Sequence, residues 1–325
     1  MPIERGQPPS PAPSPLTEIE LPLDDRRDGK VRVSYALRGD RSGQRLFVTT
    51  DRLSAFDRII AGVPYKGQVL NQLSAWWFEQ TKDIVDNHVV EIPDPNVTIA
   101  RSATPLVVEV IVRGHITGVT DTALWTAYAR GERTIYGHRL PDGLRKNDVL
   151  PHPIVTPTTK GAAGSHDIPI TCDEVAAQGL VEPELWERVQ TAALAVFERG
   201  VERGRAAGLI LADTKYEFGV AESGELLLID EVHTPDSSRW WVEAGLADRR
   251  AAGEEPESLD KEVVRRALAD VDFRGDGEVP TLPEEVWAAT TARYVDAYER
   301  LTGEAFVYAD YPAAPRIRDA VAHLE

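Results

Sequence analysis

Along GKVRVSYALRGDRSGQRLFVTTD, Val31, Val33 and Tyr35 alternate on one face and Leu46–Thr50 forms a second apolar run. That pattern predicts two strands around a turn. From Gln68 to Gln80 the period changes: Leu70, Leu73, Trp77 and Phe78 fall at helical spacing and predict a core-facing aromatic stripe. A long β-branched run, Thr104–Gly114, predicts a buried strand entering Arg113-Gly114. Glu109 in its middle implies either a sheet edge or a ligand-facing carboxylate. A short helix is expected over Thr122–Ala129, and Thr171 with Glu174 reads as a capping box. Pro183 opens a helix towards Arg205 with a stripe of Leu185, Val189, Ala193, Val196 and Phe197. Two apolar runs, Leu209–Ala212 and Leu226–Ile229, flank a segment with Gly219 and Gly224 and predict a hairpin. Two helices close the pattern, about Leu259–Asp270 and Pro283–Leu301. The second carries a Thr281/Glu284 capping box and Gly303 as its stop.

Residues 1–18, with QPPSPAPSP, read as a flexible or extended leader, and folded chain is expected from near Leu21. Residues 19–110 are expected to form a smaller β-rich unit and 111–325 a larger α+β unit. The loop PHPIVTPTTKGAAGSHD is too long to be a plain connection and carries Lys160, His166 and Asp167, so a functional role is expected.

Composition narrows the function. With 325 residues and 42% apolar content the chain can bury a sizeable core. A net charge of −17 argues against nucleic acid or an anionic membrane as partner, though a local group of Arg and Lys can still hold a small anion. The single cysteine, Cys172, excludes an intrachain disulfide framework and a multi-cysteine zinc site. With no long apolar span, a soluble, cytoplasmic protein is expected.

The chemistry concentrates between Gly208 and Trp241. Asp213 follows one apolar run, and Asp230 and Glu231 follow the other. Lys215, Glu217, His233, Asp236, Ser237, Ser238 and Arg239 crowd the same stretch. Carboxylates on rigid strand ends suit a hard cation such as Mg²⁺. GxxxxGK[ST], HExxH, GxSxG and a helix-opening GxGxxG are all missing from the sequence. The inventory that remains suits phosphoryl chemistry, in which a protein mainly positions groups and neutralises charge. The residues alone therefore point to a Mg²⁺- and nucleotide-using enzyme. A ligase or kinase acting on another acceptor, and a non-catalytic nucleotide binder, are the alternatives.

In order along the chain, GKVR, TDRLSAFD, VIVRGHITG, PTTKG, His166-Asp167, ADTKYEFG and DEVHTPDSSRWW resemble the SAICAR synthetase family over residues 29–241. The resemblance implies an α+β, two-domain nucleotide clamp related to ATP-grasp and kinase-like folds. It implies ATP-dependent joining of L-aspartate to carboxyaminoimidazole ribonucleotide (CAIR) through an acyl phosphate. SAICAR, ADP and phosphate would be released, in de novo purine biosynthesis. ATP and Mg²⁺ are the implied cofactors, CAIR and L-aspartate the partners, and the chain a monomer or small homo-oligomer.

Carried over residue by residue, the resemblance makes Lys30, Glu109 and Asp230 ATP-site residues and Glu217 and Asp230 the metal-associated acids. Arg113 and Arg239 hold the ribonucleotide, Lys215 sits between substrate and nucleotide, and Lys215, Arg113 and Asp213 form the catalytic set. Further substrate-side candidates are Asp51, Ser54, Asp57, Ser237, Lys160, His166 and Asp167. Thr120 and Thr122 join them because VTDTALW stands here where many members carry a shorter, serine-containing segment.

Overall fold

The computed structural model describes residue 9 and residues 11–56, 58–120, 122–159 and 168–324. Asp57, Lys160, His166 and Asp167 lie outside the described residues. The chain opens with β1 (Asp24–Asp28), β2 (Arg32–Ala36) and β3 (Gln44–Thr49), a hairpin of β4 (Arg52–Ala55) and β5 (Arg58–Gly62), and helix α1 (Lys66–Thr81). β6 (Val89–Asp94) and β7 (Val97–Arg101) complete an antiparallel sheet in the order β1-β2-β3-β7-β6. The chain then crosses to a second sheet through β8 (Ala103–Pro105) and β9 (Val108–His115). Next come α2 (Leu124–Ala129), a small hairpin of β10 (Thr134–Ile135) and β11 (His138–Arg139), β12 (Val149–Thr159), β13 (Ile168–Pro169), α3 (Cys172–Ala177) and α4 (Pro183–Ala206). β14 (Leu209–Ala221), β15 (Leu226–Ile229) and β16 (Ser238–Val242) follow. The second sheet runs β13-β12-β9-β14-β15, with β16 and β8 also paired to β14. Four helices end the chain: α5 (Leu246–Ala251), α6 (Glu262–Asp270), α7 (Glu284–Thr302) and α8 (Ala313–Val321). No helix among the described residues is long and apolar enough to cross a membrane.

The second sheet has one apolar face and one chemical face. Val108, Val110 and Val112 of β9 pack with Val189, Ala193, Val196 and Phe197 of α4 and with Val69, Leu73 and Trp77 of α1. The alternate positions Glu109, Ile111, Arg113 and His115 therefore share the opposite face. α1 serves the same core, although in sequence it lies between strands β3 and β7 of the first sheet.

Several expectations are corrected. Thr104–Gly114 is two strands: Leu106 N donates to Phe218 O at 2.8 Å, which turns the chain between β8 and β9. The strand expected at Leu209–Ala212 continues to Ala221, so Asp213 lies within it and not at its end. Gly219 is a strand residue, squeezed between β8 and β15. A side chain there would meet Ala103 Cβ and Thr104 O at 3.1 Å. Gly224, at φ 84°, makes the turn. Residue Leu259 precedes α6, held by a backbone bond from its N–H to Trp240 O at 2.9 Å. Thr281 does not cap α7, whose N-cap is Pro283 with no side-chain bond, whereas Gly303 ends that helix at φ 79°. The Thr171/Glu174 capping box and Pro183 in the first turn of α4 are as expected.

Packing begins before Leu21. Leu16 and Ile19 are buried in the core of the first sheet with Val33, Tyr35, Leu46 and Val48. The same core takes Ala313, Ile317 and Val321 of α8. Asp51 ties these parts together: it accepts from Leu16 N at 2.7 Å, from Gly67 N at 2.8 Å and from Tyr311 OH at 2.9 Å. Burial raises its carboxyl from 3.8 to about 6 against those bonds. A raised acid favours folding fully below pH 3.8, and that contribution is lost as pH rises through about 6. Carboxyl-carbon NMR of Asp51 is expected to give a midpoint near pH 6; a midpoint below 4 would show that the hydrogen bonds outweigh burial.

Candidate active site

A β-bulge positions the site. The pairing of β14 with β16 shifts register between Leu211 and Asp213. Leu209 and Leu211 before the shift, and Tyr216 and Phe218 after it, therefore all reach the main core. Asp213, Lys215 and Glu217 are left in a row on the other face, spaced over about 13 Å of strand. Across the ladder, Asp213 pairs with Arg113 on β9 and Arg239 on β16, and Lys215 with Ile111.

At one end of the row, the Asp213 carboxylate holds two guanidinium groups. Arg113 Nη1 lies 3.4 Å from Asp213 Oδ2, and Arg239 pairs with the same oxygen. Arg113 Nε also donates to Thr156 Oγ1 at 2.9 Å, which fixes the plane of its fork. The Asp213 carboxylate thus sets two guanidinium forks side by side, a geometry suited to an anion with paired oxygens, while Asp260, Glu262 and Glu255 also lie near Arg239.

The other end is acidic. Lys215 Nζ donates to Glu217 at 2.6 Å and Glu109 at 3.3 Å and lies 4.0 Å from Asp230. Burial opposes its charged form, but the carboxylates of Glu217, Asp230 and Glu109 outweigh it and raise the ammonium pKa. Glu109 does not lie at a sheet edge, since β9 runs between β12 and β14, and its carboxylate faces Lys215. Asp230 follows β15 with φ 69°, a conformation Asp tolerates. It pairs with Arg32, whose Nη2 is 3.4 Å from Glu231. Glu217 and Asp230 thus converge on one cation, the Lys215 ammonium.

Above the acidic end a cavity of about 280 Å³ opens between the sheets. Phe47 of β3 and Thr98 of β7 line it from the first sheet, Ala103, Pro105 and Ile229 from the second, and one face of α1 from the side. His88 in its wall packs at a tilt against Phe78, with ring centroids 5.2 Å apart. Burial, with Arg32 and Arg101 nearby, lowers the pKa of His88 to about 3 and keeps it neutral. Apolar walls with a few polar groups, opening onto Glu217 and Asp230, suit a flat ring carrying an anionic tail.

The remaining candidates are less tightly gathered. Ser237 sits beside Arg239, with its Oγ accepting from Thr234 N at 3.2 Å. Thr122 meets Arg113 through its backbone oxygen at 3.5 Å, while Thr120 is exposed. Ser54 is half-buried in β4, and Lys30 is exposed in the turn between β1 and β2. Asp51 is fully buried, and its oxygens are taken by Leu16, Gly67 and Tyr311. Sequence reasoning passed over Arg32, although GKVR was noted for Lys30. It also gave no sign of a buried centre at Asp236, which accepts from Lys66 at 2.9 Å and Tyr294 at 2.7 Å and pairs with Lys261 at 3.3 Å.

Comparison with known proteins agrees with this architecture. A model of the SAICAR synthetase family matches residues 25–282. The phosphoribosylaminoimidazole-succinocarboxamide synthase of Legionella pneumophila (strain Lens) is 48% identical over 309 residues, 95% of this chain and 96% of that one. The chloroplastic synthase of Vigna aconitifolia is 52% identical over 243 residues, 75% of this chain and 70% of that one. Among solved structures, the SAICAR synthase from Saccharomyces cerevisiae complexed with SAICAR superposes with TM-score 0.76 at 33% identity, covering 90% of this chain and all of that one. A SAICAR synthetase in complex with ADP shares the fold, with TM-score 0.65 at 23% identity and coverage of 87% and 100%. Fold and site together define an enzyme of the ligase class that serves purine biosynthesis. The chain belongs to the SAICAR synthetase family.

Proposed function

We propose that this chain joins L-aspartate to CAIR with ATP, giving SAICAR, ADP and phosphate, in the cytoplasm. One observation carries the reading: neighbouring strands place the guanidinium pair of Arg113 on β9 and Arg239 on β16, the ammonium of Lys215 on β14 and the carboxylates of Glu217 and Asp230 in that order along one face. In this reading the CAIR phosphate lies at Arg113 and Arg239, and the ATP ring fills the cavity between the sheets. Lys215 reaches the transferred phosphoryl group. The two sheets act as the halves of a nucleotide clamp related to ATP-grasp and kinase-like folds, the first on strands between Asp24 and Arg101 and the second on strands between Ala103 and Val242.

The reaction needs activation because a carboxylate has no adequate leaving group. Transfer of the γ-phosphoryl group to the CAIR carboxylate makes an acyl phosphate. The aspartate amine attacks its carbonyl carbon, and the C–O bond to phosphate breaks. Lys215 and the arginines stabilise charge on the transferring group and on the tetrahedral oxygen. The donor set at Glu217 and Asp230 fits Mg²⁺, since both are hard oxygen ligands gathered about one cation in the structure. Among the described residues no group of three or more His, Cys, Asp or Glu could hold a metal ion. In this reading an ion would be held by one or two carboxylates and by substrate phosphates. When bound, the ion would neutralise phosphate charge.

An ADP-release assay with CAIR, run with and without aspartate, tests the reaction; sustained ADP release that ignores aspartate would reject it. Arg239→Ala is expected to raise the apparent KM for CAIR by about 30-fold or more while the KM for ATP changes by less than about threefold. Equal weakening of both substrates would remove Arg239 from the acceptor site.

A further inference from the structure

The two ends of the chemical face are joined in sequence by residues 231–238, the turn between Asp230 and Arg239. Its first half is fastened locally. Val232 N donates to Ser74 Oγ at 3.2 Å, and Thr234 Oγ1 donates to Glu231 Oε2 at 2.6 Å. Its second half carries the anion end. Ser237 O accepts from Lys215 N at 2.9 Å, and Arg239 pairs with Asp213 across the ladder. Between the halves the Asp236 side chain turns into the protein and is 2% exposed. Its Oδ2 takes two ammonium groups, Lys66 at 2.9 Å and Lys261 at 3.3 Å, and its Oδ1 accepts from Tyr294 OH at 2.7 Å. Burial opposes the carboxylate, but Lys261 and Lys66 outweigh it and hold Asp236 below the usual carboxylate range. A charge this deep depends on its partners to stay in place. Tyr294 lies on α7, 58 residues further along the chain, and is fully buried. Any effect of its hydroxyl on a ligand therefore passes through Asp236.

We propose that Tyr294 is a positioning residue of the acceptor site: its hydroxyl fixes the Asp236 carboxylate, and the carboxylate fixes the turn that presents Ser237 and Arg239. This rests on the reading of Arg239 as holding the CAIR phosphate. The two ammonium groups restrain one carboxylate oxygen. The hydroxyl, on the other oxygen, sets the rotation of the carboxylate about its Cβ–Cγ bond. Without it Lys66 and Lys261 draw on either oxygen, and the backbone at Asp236 follows. The first half of the turn is held by Ser74 and Glu231, so the displacement falls on Ser237 and Arg239. A guanidinium fork that recognises paired oxygens is sensitive to small displacements. Helix α7 thereby belongs to the frame of the acceptor site, although none of its residues is proposed to touch CAIR.

Tyr294→Phe tests this, because it keeps the ring in the core and removes one hydroxyl. The KM for CAIR is expected to rise about fivefold to tenfold, while kcat and the KM for ATP stay within about twofold. Tyr35→Phe is the matched control. Tyr35 is equally buried, and its hydroxyl donates to Ile19 O at 2.9 Å in the core of the first sheet. This control should lower the melting temperature and leave the KM for CAIR within about twofold. A rise of the CAIR KM in both variants marks general loosening, and the proposal falls. Arg239→Ala completes a double-mutant cycle. With Arg239 gone, adding Tyr294→Phe should raise the CAIR KM by less than about twofold further, since both changes act on one contact. A full second factor would overturn the proposal. If Arg239→Ala alone leaves the CAIR KM unchanged, the acceptor reading falls and the role of Tyr294 with it. If Arg239→Ala weakens CAIR and Tyr294→Phe does not, the role of Tyr294 falls by itself. Asp236→Glu keeps the charge and lengthens the linkage by one methylene. It should raise the CAIR KM at least as much, and an unchanged value overturns the proposal even where Tyr294→Phe fails to fold.

Discussion

Lys215→Met is expected to lower kcat by about a thousandfold, the largest single effect in the site apart from outright unfolding. The ammonium is placed among three carboxylates, at 2.6, 3.3 and 4.0 Å from Glu217, Glu109 and Asp230. Methionine keeps most of the apolar stem and removes only the charge, so loss of packing contributes little. What disappears is the cation proposed to meet the phosphoryl group as its charge spreads over the equatorial oxygens. A second consequence separates this role from a purely structural one. With the ammonium gone, the three carboxylates repel one another and attract a divalent ion more strongly. Thermal melting of the variant should therefore rise with added Mg²⁺ more steeply than that of the parent in the absence of nucleotide. Retention of more than about a tenth of parental kcat would remove Lys215 from the chemistry. Lys215→Arg is not expected to rescue the activity, because a planar fork is too broad for a point held by three carboxylates.

Much of this arrangement is legible in the sequence, and the reasons for the rest are physical. Glu109 stands out in the sequence as an acid in a β-branched run, and it lies half-buried on the face opposite the valines, paired with Lys215, because a charged residue in a valine-rich strand has only one face to occupy. The period-two set Asp213, Lys215 and Glu217 is present in the sequence as well. It was obscured by ending the strand at Ala212, where apolar residues change parity. That parity change is the β-bulge, and a bulge leaves no signature in composition. Contacts between distant segments are illegible for a different reason. Nothing local to Lys66 or Tyr294 announces Asp236, which lies 170 residues from Lys66 and 58 from Tyr294 along the chain. The same holds for α8, whose apolar positions pack on the first sheet although it closes the chain. Asn71 reads as one polar position in a core helix; only the folded structure shows its amide meeting the hydroxyls of Thr49 and Thr98.

Glu217→Gln is the complementary change, and the expected result is a folded protein with about a hundredfold to a thousandfold lower Mg²⁺-dependent turnover. Folding should survive because Glu217 faces the cleft while its neighbours Tyr216 and Phe218 carry the core contacts. Glutamine keeps the shape, and its amide oxygen can still accept from Lys215, so the geometry of the row is preserved. The variant lacks the negative charge. Only one of the two proposed metal-associated acids then remains charged, Asp230, and it is already paired with Arg32. A weaker ion site predicts a specific pattern: apparent Mg²⁺ affinity falls, and raising Mg²⁺ recovers part of the lost rate. A role confined to holding Lys215 predicts no such dependence on the ion. Titrating Mg²⁺ at saturating ATP and CAIR distinguishes the two, and parental turnover at saturating Mg²⁺ would reject the metal role for Glu217. The effect should also be non-additive with Lys215→Met, because the two groups share one bond of 2.6 Å and one proposed transition-state charge.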